Sequence, residues 1–591
     1  MEIKQCLAAC LVAALTCAIA DTLTEDELTE MIKDGFRNVE RETINGQVIL
    51  EDGYIPTWLS GNFMRHACGA FGETDNMNKT LPNYIEHLFD CIEIGNKFRI
   101  ENGNITFTNR WYDTTVNDIY NFYGREMNES SLFHTTTLSK LNPTQLDIWS
   151  ANLSDNSKLE KVHHVSWWQI GDDVIAMSEF PIGVIIDPDE VAHKGYIQYN
   201  DDNLGVPNSM QYFTNNNPAH EHTEPDGTLW SAVAVIKFET RTLLKSWRVV
   251  YKVGADKIRH VIGTYHYEDT DVTKCRPGTP YEDFTARFGY LHSFAMTENY
   301  IILPETAYMI DTCVFAFYNK YEPFFSQGFH YEPSGLSRLL VMRKSDGVFV
   351  ANITVPPIFI THQLGAYEDG DSIHMDMLTY NDAGIYTQHL YVENLFNKHT
   401  YTSNVTRITI HMSNWTASLR SLREPRKPPA AFEMSNINYK YNAKKYTYAY
   451  MARNFAMKDQ NALTKLNVDT GEEIEYLYPK GMFTQEPQFV SRPNAVSEDD
   501  GVLLAQGVDG RKHKAFMVIV DAKTMKLIGH VTAPDLALFG LHNKLFPFHK
   551  GNSSGSDSKL SSGSSKIEPF SCKLYMFVFI CVFMRVCHIS I

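Results

Sequence analysis

Along most of the chain apolar and polar residues alternate in short runs broken by polar turns, and long stretches of helical periodicity are few. The pattern is plainest where an alternating run meets a turn with an acidic residue and a second run follows. This happens at Ser231–Lys252, Leu339–Pro356, Ala462–Pro479 and Ala515–Thr532. Asp346-Gly347 and Asp469-Thr470-Gly471 stand at two of the turns, where a hairpin reverses tightly. Hairpins repeated in this way predict an all-β, repetitive architecture. A β-propeller answers best, because its axis can gather residues from several blades. Two or three unrelated β-sandwiches would carry the same local pattern.

Both ends depart from the alternation. Residues 1–20 join Lys4 to an apolar stretch and close on Ala18-Ile19-Ala20, the pattern of a secretory signal cleaved before Asp21; a short buried helix is the alternative. A propeller domain is expected over 21–548, then a Ser/Gly-rich spacer over 549–573 and a hydrophobic tail over 574–591. The apolar run Leu574–Met584 is short for a bilayer span. With the small residues Ser561-Ser562-Gly563 it fits a lipid-anchor attachment signal, and a segment that only touches a membrane is the alternative. The expected location is the secretory pathway, ending outside the cell or at its surface.

Composition narrows the classes. Apolar residues make up 43% of the 591 and charged residues 21%, enough for a large core. The net charge of −17 and the lack of a basic stripe exclude nucleic acid as a partner. Asn78, Asn104, Asn128, Asn152, Asn352, Asn404, Asn414 and Asn552 open glycosylation sequons, which permit secretion without establishing it. Between leader and tail the cysteines are Cys68, Cys91, Cys275 and Cys313, an even set that allows two disulfides in three pairings.

Four histidines, His220, His292, His362 and His542, lie far apart, each on an apolar, strand-like segment, and Glu179, Glu433 and Glu486 stand in similar β-rich settings. Neutral imidazole suits iron, and carboxylates often orient metal-bound histidines from behind. A set so scattered needs a fold that brings distant strands to one point. That points to a non-haem iron enzyme on a β-scaffold. The chain has 22 histidines, most of them ordinary surface or core residues. Three share a setting: His220, His292 and His362 each precede by about five residues a turn that opens a strand. His542 lacks the following hairpin and reads as the end of the last blade. Alternation does not choose between His220 and His222, which share one face of a strand. Taken singly, the glutamates read equally as surface carboxylates.

These segments resemble the carotenoid cleavage oxygenase family, in particular the animal branch with β-carotene oxygenases and the retinoid isomerohydrolase. Ile55–His66 (IPTWLSGNFMRH) is similar to the family's opening motif and His87–Cys91 (HLFDC) to its second. Ala219–Gly227, Tyr290–Thr306, His362–Gly370 and Phe539–Pro547 resemble the four ligand motifs, and so supply His220, His292, His362 and His542. Met177–Pro181, Phe432–Lys440 and Gln485–Pro493 supply Glu179, Glu433 and Glu486, which by resemblance accept hydrogen bonds from three of the histidines.

The resemblance implies a seven-bladed β-propeller with a helical and loop cap over the iron-bearing axial face. It further implies one Fe(2+) per subunit, and O2 and a lipophilic carotenoid or retinoid as partners, with a membrane surface nearby. The implied reaction is cleavage of a conjugated double bond to two aldehydes, retinal from β-carotene being the default. Retinoid isomerohydrolysis, or carotenoid or retinoid binding in a secreted protein without turnover, are the other readings. The aromatic segments Trp167-Trp168, Phe315–Phe325 and Tyr446–Tyr450 are candidates for the polyene tunnel, against an ordinary core role.

The chain also departs from the family pattern. Ala67-Cys68-Gly69 replaces Gly-Pro-Gly, Cys91 replaces a glycine, and Gly365 replaces an asparagine. Because Cys68 and Cys91 both replace family residues in an oxidising compartment, a disulfide between them is expected; two separate buried thiols are the alternative.

Overall fold

In a computed structural model of the protein the alternating runs become strands. It describes residues 23–548, apart from 72–86, 113–164, 180–182, 202–203, 205–211, 216, 277–278, 314–328, 333–334, 392–393, 395–400, 426, 456 and 459. The leader, spacer and tail, Phe315–Phe325, and the sequons at Asn78, Asn128, Asn152 and Asn552 lie outside the described residues. All four expected hairpins are present: Leu229–Thr240 with Leu243–Val253, Ser337–Arg343 with Phe349–Val355, Ala462–Asn467 with Glu473–Leu477, and Lys514–Asp521 with Leu527–Thr532.

Among the described residues, seven antiparallel sheets of four or more strands form the blades of a propeller. Their innermost strands are Asn543–Phe546 in blade 1, Ser166–Ile170 in blade 2, and Tyr212–Asn215 continued by His222–Thr223 in blade 3. Ala295–Met296, Phe359–Asp369, Phe432–Ile437 and Met482–Ser491 serve blades 4 to 7. Neighbouring inner strands touch around the ring. Between blades 2 and 3 the Trp168 indole donates to Ala219 O at 2.9 Å, and between 3 and 4 the Ala219 N–H donates to His292 O at 2.9 Å. Both chain ends close the ring. Asn543–Phe546 pairs with Gly61–Ala70 of blade 1, and Ile49–Gly53 adds the outer strand of blade 7 along Leu527–Thr532. His542 therefore opens the innermost strand of the first blade and does not end the last one.

Apolar layers fill the spaces between blades. Phe63 and Phe98 of blade 1 meet Val502, Leu504 and Met517 of blade 7, and Ile302 and Val341 of blade 4 meet Ile360 and Met375 of blade 5. Each such buried side chain contributes about 1.5–3 kcal/mol. Trp168, Tyr446 and Tyr450 belong to these layers. The ordinary core role holds for these three, whereas Trp167 lines the cavity described below.

Loops, rather than helices, make up most of the described cap. Its helical parts are Glu25–Lys33, with Thr24 and Glu27 in a reciprocal capping box, and short turns such as Leu88–Asp90 and the π-helical Ile385–His389. Residues from these pieces join Tyr290, Tyr308, Phe359, Phe483 and Phe539 in one large cluster over an end of the ring. Disulfides Cys68–Cys91 and Cys275–Cys313 are formed, the first inside that cluster. Asn104, Asn352, Asn404 and Asn414 are all exposed.

Candidate metal centre

The inner strands are irregular where the chemistry sits. His220 fills the break between the two parts of the blade 3 inner strand, while His292 and His542 come just before those of blades 4 and 1. In blades 5, 6 and 7 the pairing register shifts between Ile360 and Gln363, Glu433 and Asn436, and Thr484 and Pro487. Such bulges re-aim side chains that strict alternation would send between blades. Met434, after Glu433, takes a left-handed φ of 56° in one of them. Glu179 alone comes from off an inner strand, beyond Asp173–Met177 in blade 2.

The four histidines meet at the axis with one ligand atom each, all within 4.8 Å of one another. Nε2 of His362 lies 3.2 Å from Nε2 of His292 and 3.0 Å from Nε2 of His542. Behind them, Nδ1 of His292 is 2.6 Å from Glu179 Oε1, Nδ1 of His362 is 2.5 Å from Glu433 Oε2, and Nδ1 of His542 is 2.9 Å from Glu486 Oε1. With the three glutamates ionised, Nδ1 is the N–H donor on each ring and each Nε2 carries a lone pair. Lone pairs 3.0–3.2 Å apart repel. They are drawn together favourably only by a cation that accepts them. The Nε2 of His220 is buried with no hydrogen-bond partner and points to the same requirement.

The carboxylates are themselves held. The Tyr290 hydroxyl donates to Glu179, and the Tyr380 hydroxyl and Thr361 Oγ1 donate to Glu433, the latter at 3.0 Å. The Asn543 N–H donates to Glu486 Oε2 at 2.6 Å. Sequence reasoning missed these supports. Tyr290 and Asn543 lie within two residues of a histidine already singled out, which was the available signal; for Tyr380 there was none.

Burial keeps the His220, His362 and His542 rings neutral. It pushes His542 down to about 3 and His362 to about 4, in the second case against the pull of Glu433. His220 falls well below the ordinary imidazole value through burial and then the neighbouring histidines. Glu486 is pushed up to about 8 by burial. For Glu433 burial acts in the same direction, but His362 and the hydrogen bonds it accepts outweigh it and hold its carboxyl below the ordinary value.

His222 turns away from the centre. Its Nδ1 is 2.9 Å from Asn442 Oδ1 and its Nε2 is 2.9 Å from Phe294 O, so it ties loops together and His220 is the one that joins the cluster. Gly365 is also accounted for. A Cβ there would meet the Tyr446 ring at 2.6 Å, so the departure answers packing between blades and leaves the centre intact.

The two sides of the centre differ. Residues just before the histidines and glutamates, such as Tyr290, Phe359, Phe483 and Phe539, belong to the aromatic cap cluster, with Tyr386 6.0 Å from His292 between ring centres. Residues just after them line a cavity of about 740 Å³ with mixed polar and apolar walls that includes His220, His362 and His542 in its wall.

A family model described as retinal pigment epithelial membrane protein matches residues 36–547. The chain belongs to the carotenoid cleavage oxygenase family. It is 25% identical over 542 residues to carotenoid cleavage dioxygenase 8 of Arabidopsis thaliana, covering 87% of this chain and 85% of that one. It is 24% identical over 551 residues to the β,β-carotene 15,15′-dioxygenase of Gallus gallus (86% and 97% covered). Against the carotenoid isomerooxygenase of Galleria mellonella it is 22% identical over 519 residues (84% and 92%). The fold matches a variant of the Synechocystis apocarotenoid oxygenase with a TM-score of 0.67 at 18% identity, over 88% of this chain and 99% of that one.

Proposed function

We propose that the protein is an Fe(II)-dependent carotenoid dioxygenase that adds O2 across one conjugated double bond of a polyene and releases two aldehydes, with β-carotene and its central bond as the first substrate to test. The observation that carries this is the convergence of four imidazole ligand atoms within 4.8 Å of one another, with Nε2 of His220 buried and without a hydrogen-bond partner. The donor set fits: His220, His292, His362 and His542 would hold the metal as neutral ligands, and one iron per subunit would supply O2 activation. Glu179, Glu433 and Glu486 fix the ring tautomers and place negative charge behind three ligands, which raises their basicity. The cap cluster offers the apolar surface that a polyene needs and excludes water from one side. The relatives' names, carotenoid dioxygenases and an isomerooxygenase, support the substrate class.

Secretion is part of the same proposal, with a cleaved leader, glycosylation, and attachment to a membrane through the tail. Two disulfides and four exposed sequons support it. Anaerobic Fe(II) reconstitution followed by aerobic incubation with β-carotene and related polyenes tests the chemistry. Iron-dependent aldehydes, lost in His292→Ala, are expected. Bound iron with no aldehyde from any polyene overturns the oxygenase in favour of isomerohydrolysis or simple binding.

A further inference from the structure

The cavity of mixed lining on the far side of the histidines from the cap has no part in polyene cleavage as described so far. The stretches of the inner strands and their turns just beyond the histidines and glutamates line it, including Glu221, Gln363, Ser435, Gln488 and Lys544. Lys544 is the one Lys or Arg among the described residues of its wall, whereas Asp172, Glu221 and Asp226 all contribute carboxylates. The Lys544 ammonium donates to Glu221 Oε1 at 3.2 Å, with their side chains 34% and 10% exposed. Each of the two adjoins a histidine of the centre in sequence, Glu221 next to His220 and Lys544 two beyond His542.

We infer that this cavity is the route by which the divalent cation reaches the four histidines, and that the Lys544–Glu221 pair governs its passage. This rests on the metal-centre reading above. A hydrated dication crossing the aromatic cap would lose its water against apolar rings, at a cost of many kcal/mol. Along the cavity, side-chain oxygens replace that water step by step. Carboxylates on low-dielectric walls also draw cations in and raise their local concentration. Lys544 opposes this. Paired to Glu221, it neutralises the carboxylate next in sequence to His220 and places a positive charge beside the path.

The test follows metal capture itself, apart from turnover. Chelator-stripped protein is mixed with Co(II) in a stopped-flow instrument, and the ligand-field absorption of the bound ion is recorded. Lys544→Gln is expected to speed uptake about three- to tenfold at low ionic strength and Glu221→Gln to slow it by a similar factor, both effects shrinking with added salt. Gln488→Trp, which narrows the cavity without changing charge, is expected to slow uptake with the equilibrium affinity and the absorption band unchanged. The band position in each variant reports that the four-histidine centre is still formed. Wild-type-like rates in all three variants overturn the route while leaving the metal centre standing. A wild-type protein that captures no Co(II) overturns the metal centre, and the route with it.

Discussion

On the cap side of the four imidazoles the described residues form a buried, largely aromatic cluster; on the other side a cavity carries carboxylates, amides and one ammonium among apolar side chains. The inner strands build both walls. Residues on one side of each bulge go to the cap cluster and residues on the other side go to the cavity. One ring of strands can therefore offer a dry face and a wet face to the same centre, and the boundary between them falls at the histidines.

If this contrast is right, the two sides should respond very differently to truncation. Phe359→Ala removes a fully buried ring stacked near Tyr290 and Tyr386, and should cost about 3–5 kcal/mol in chemical denaturation. Gln488→Ala on the cavity wall should stay within about 0.5 kcal/mol. Equal losses would break the comparison. The cap also has a covalent tie. Replacing Cys68 and Cys91 together with serine opens a loop of 23 residues and should cost about 3 kcal/mol by chain entropy, read as a lower thermal midpoint. An unchanged midpoint would mean that packing alone holds that side.

The smallest effect concerns protons. A Glu486 carboxyl raised to about 8 is protonated at neutral pH in the metal-free protein, and a dication on the far side of His542 favours the carboxylate. Metal binding then releases a proton. Co(II) affinity should rise with pH by up to about tenfold per unit between about pH 6 and pH 8, and level off above about 8. Glu486→Gln should flatten that slope; a slope that survives the substitution would place the proton elsewhere.

Much of this was legible in the chain. Period-two alternation marked the four hairpins, and the motif order marked all seven histidines and glutamates that the structure brings together. The rest depended on three-dimensional closure. An aromatic residue facing the axis and one facing the next blade read alike in one dimension, so the sequence left Trp168, Tyr446 and Tyr450 open between tunnel and core. Strand alternation left His220 and His222 on one face, and it took the break in the inner strand to separate them. His542 was assigned to the wrong blade because nothing local says that the last strand returns to the first.

That return governs how the molecule comes into being. The strand beginning at Asn543 pairs with Gly61–Ala70, across almost the whole length of the fold, so the ring cannot shut before that strand has been made. Until then three histidines are present and the fourth is missing. A premature stop just before Leu541 would cost not a terminal ornament but the closing strand and a quarter of the donor set at one stroke. Metallation is in this sense a proofreading step, open only to chains that reach the closing strand Asn543–Phe546.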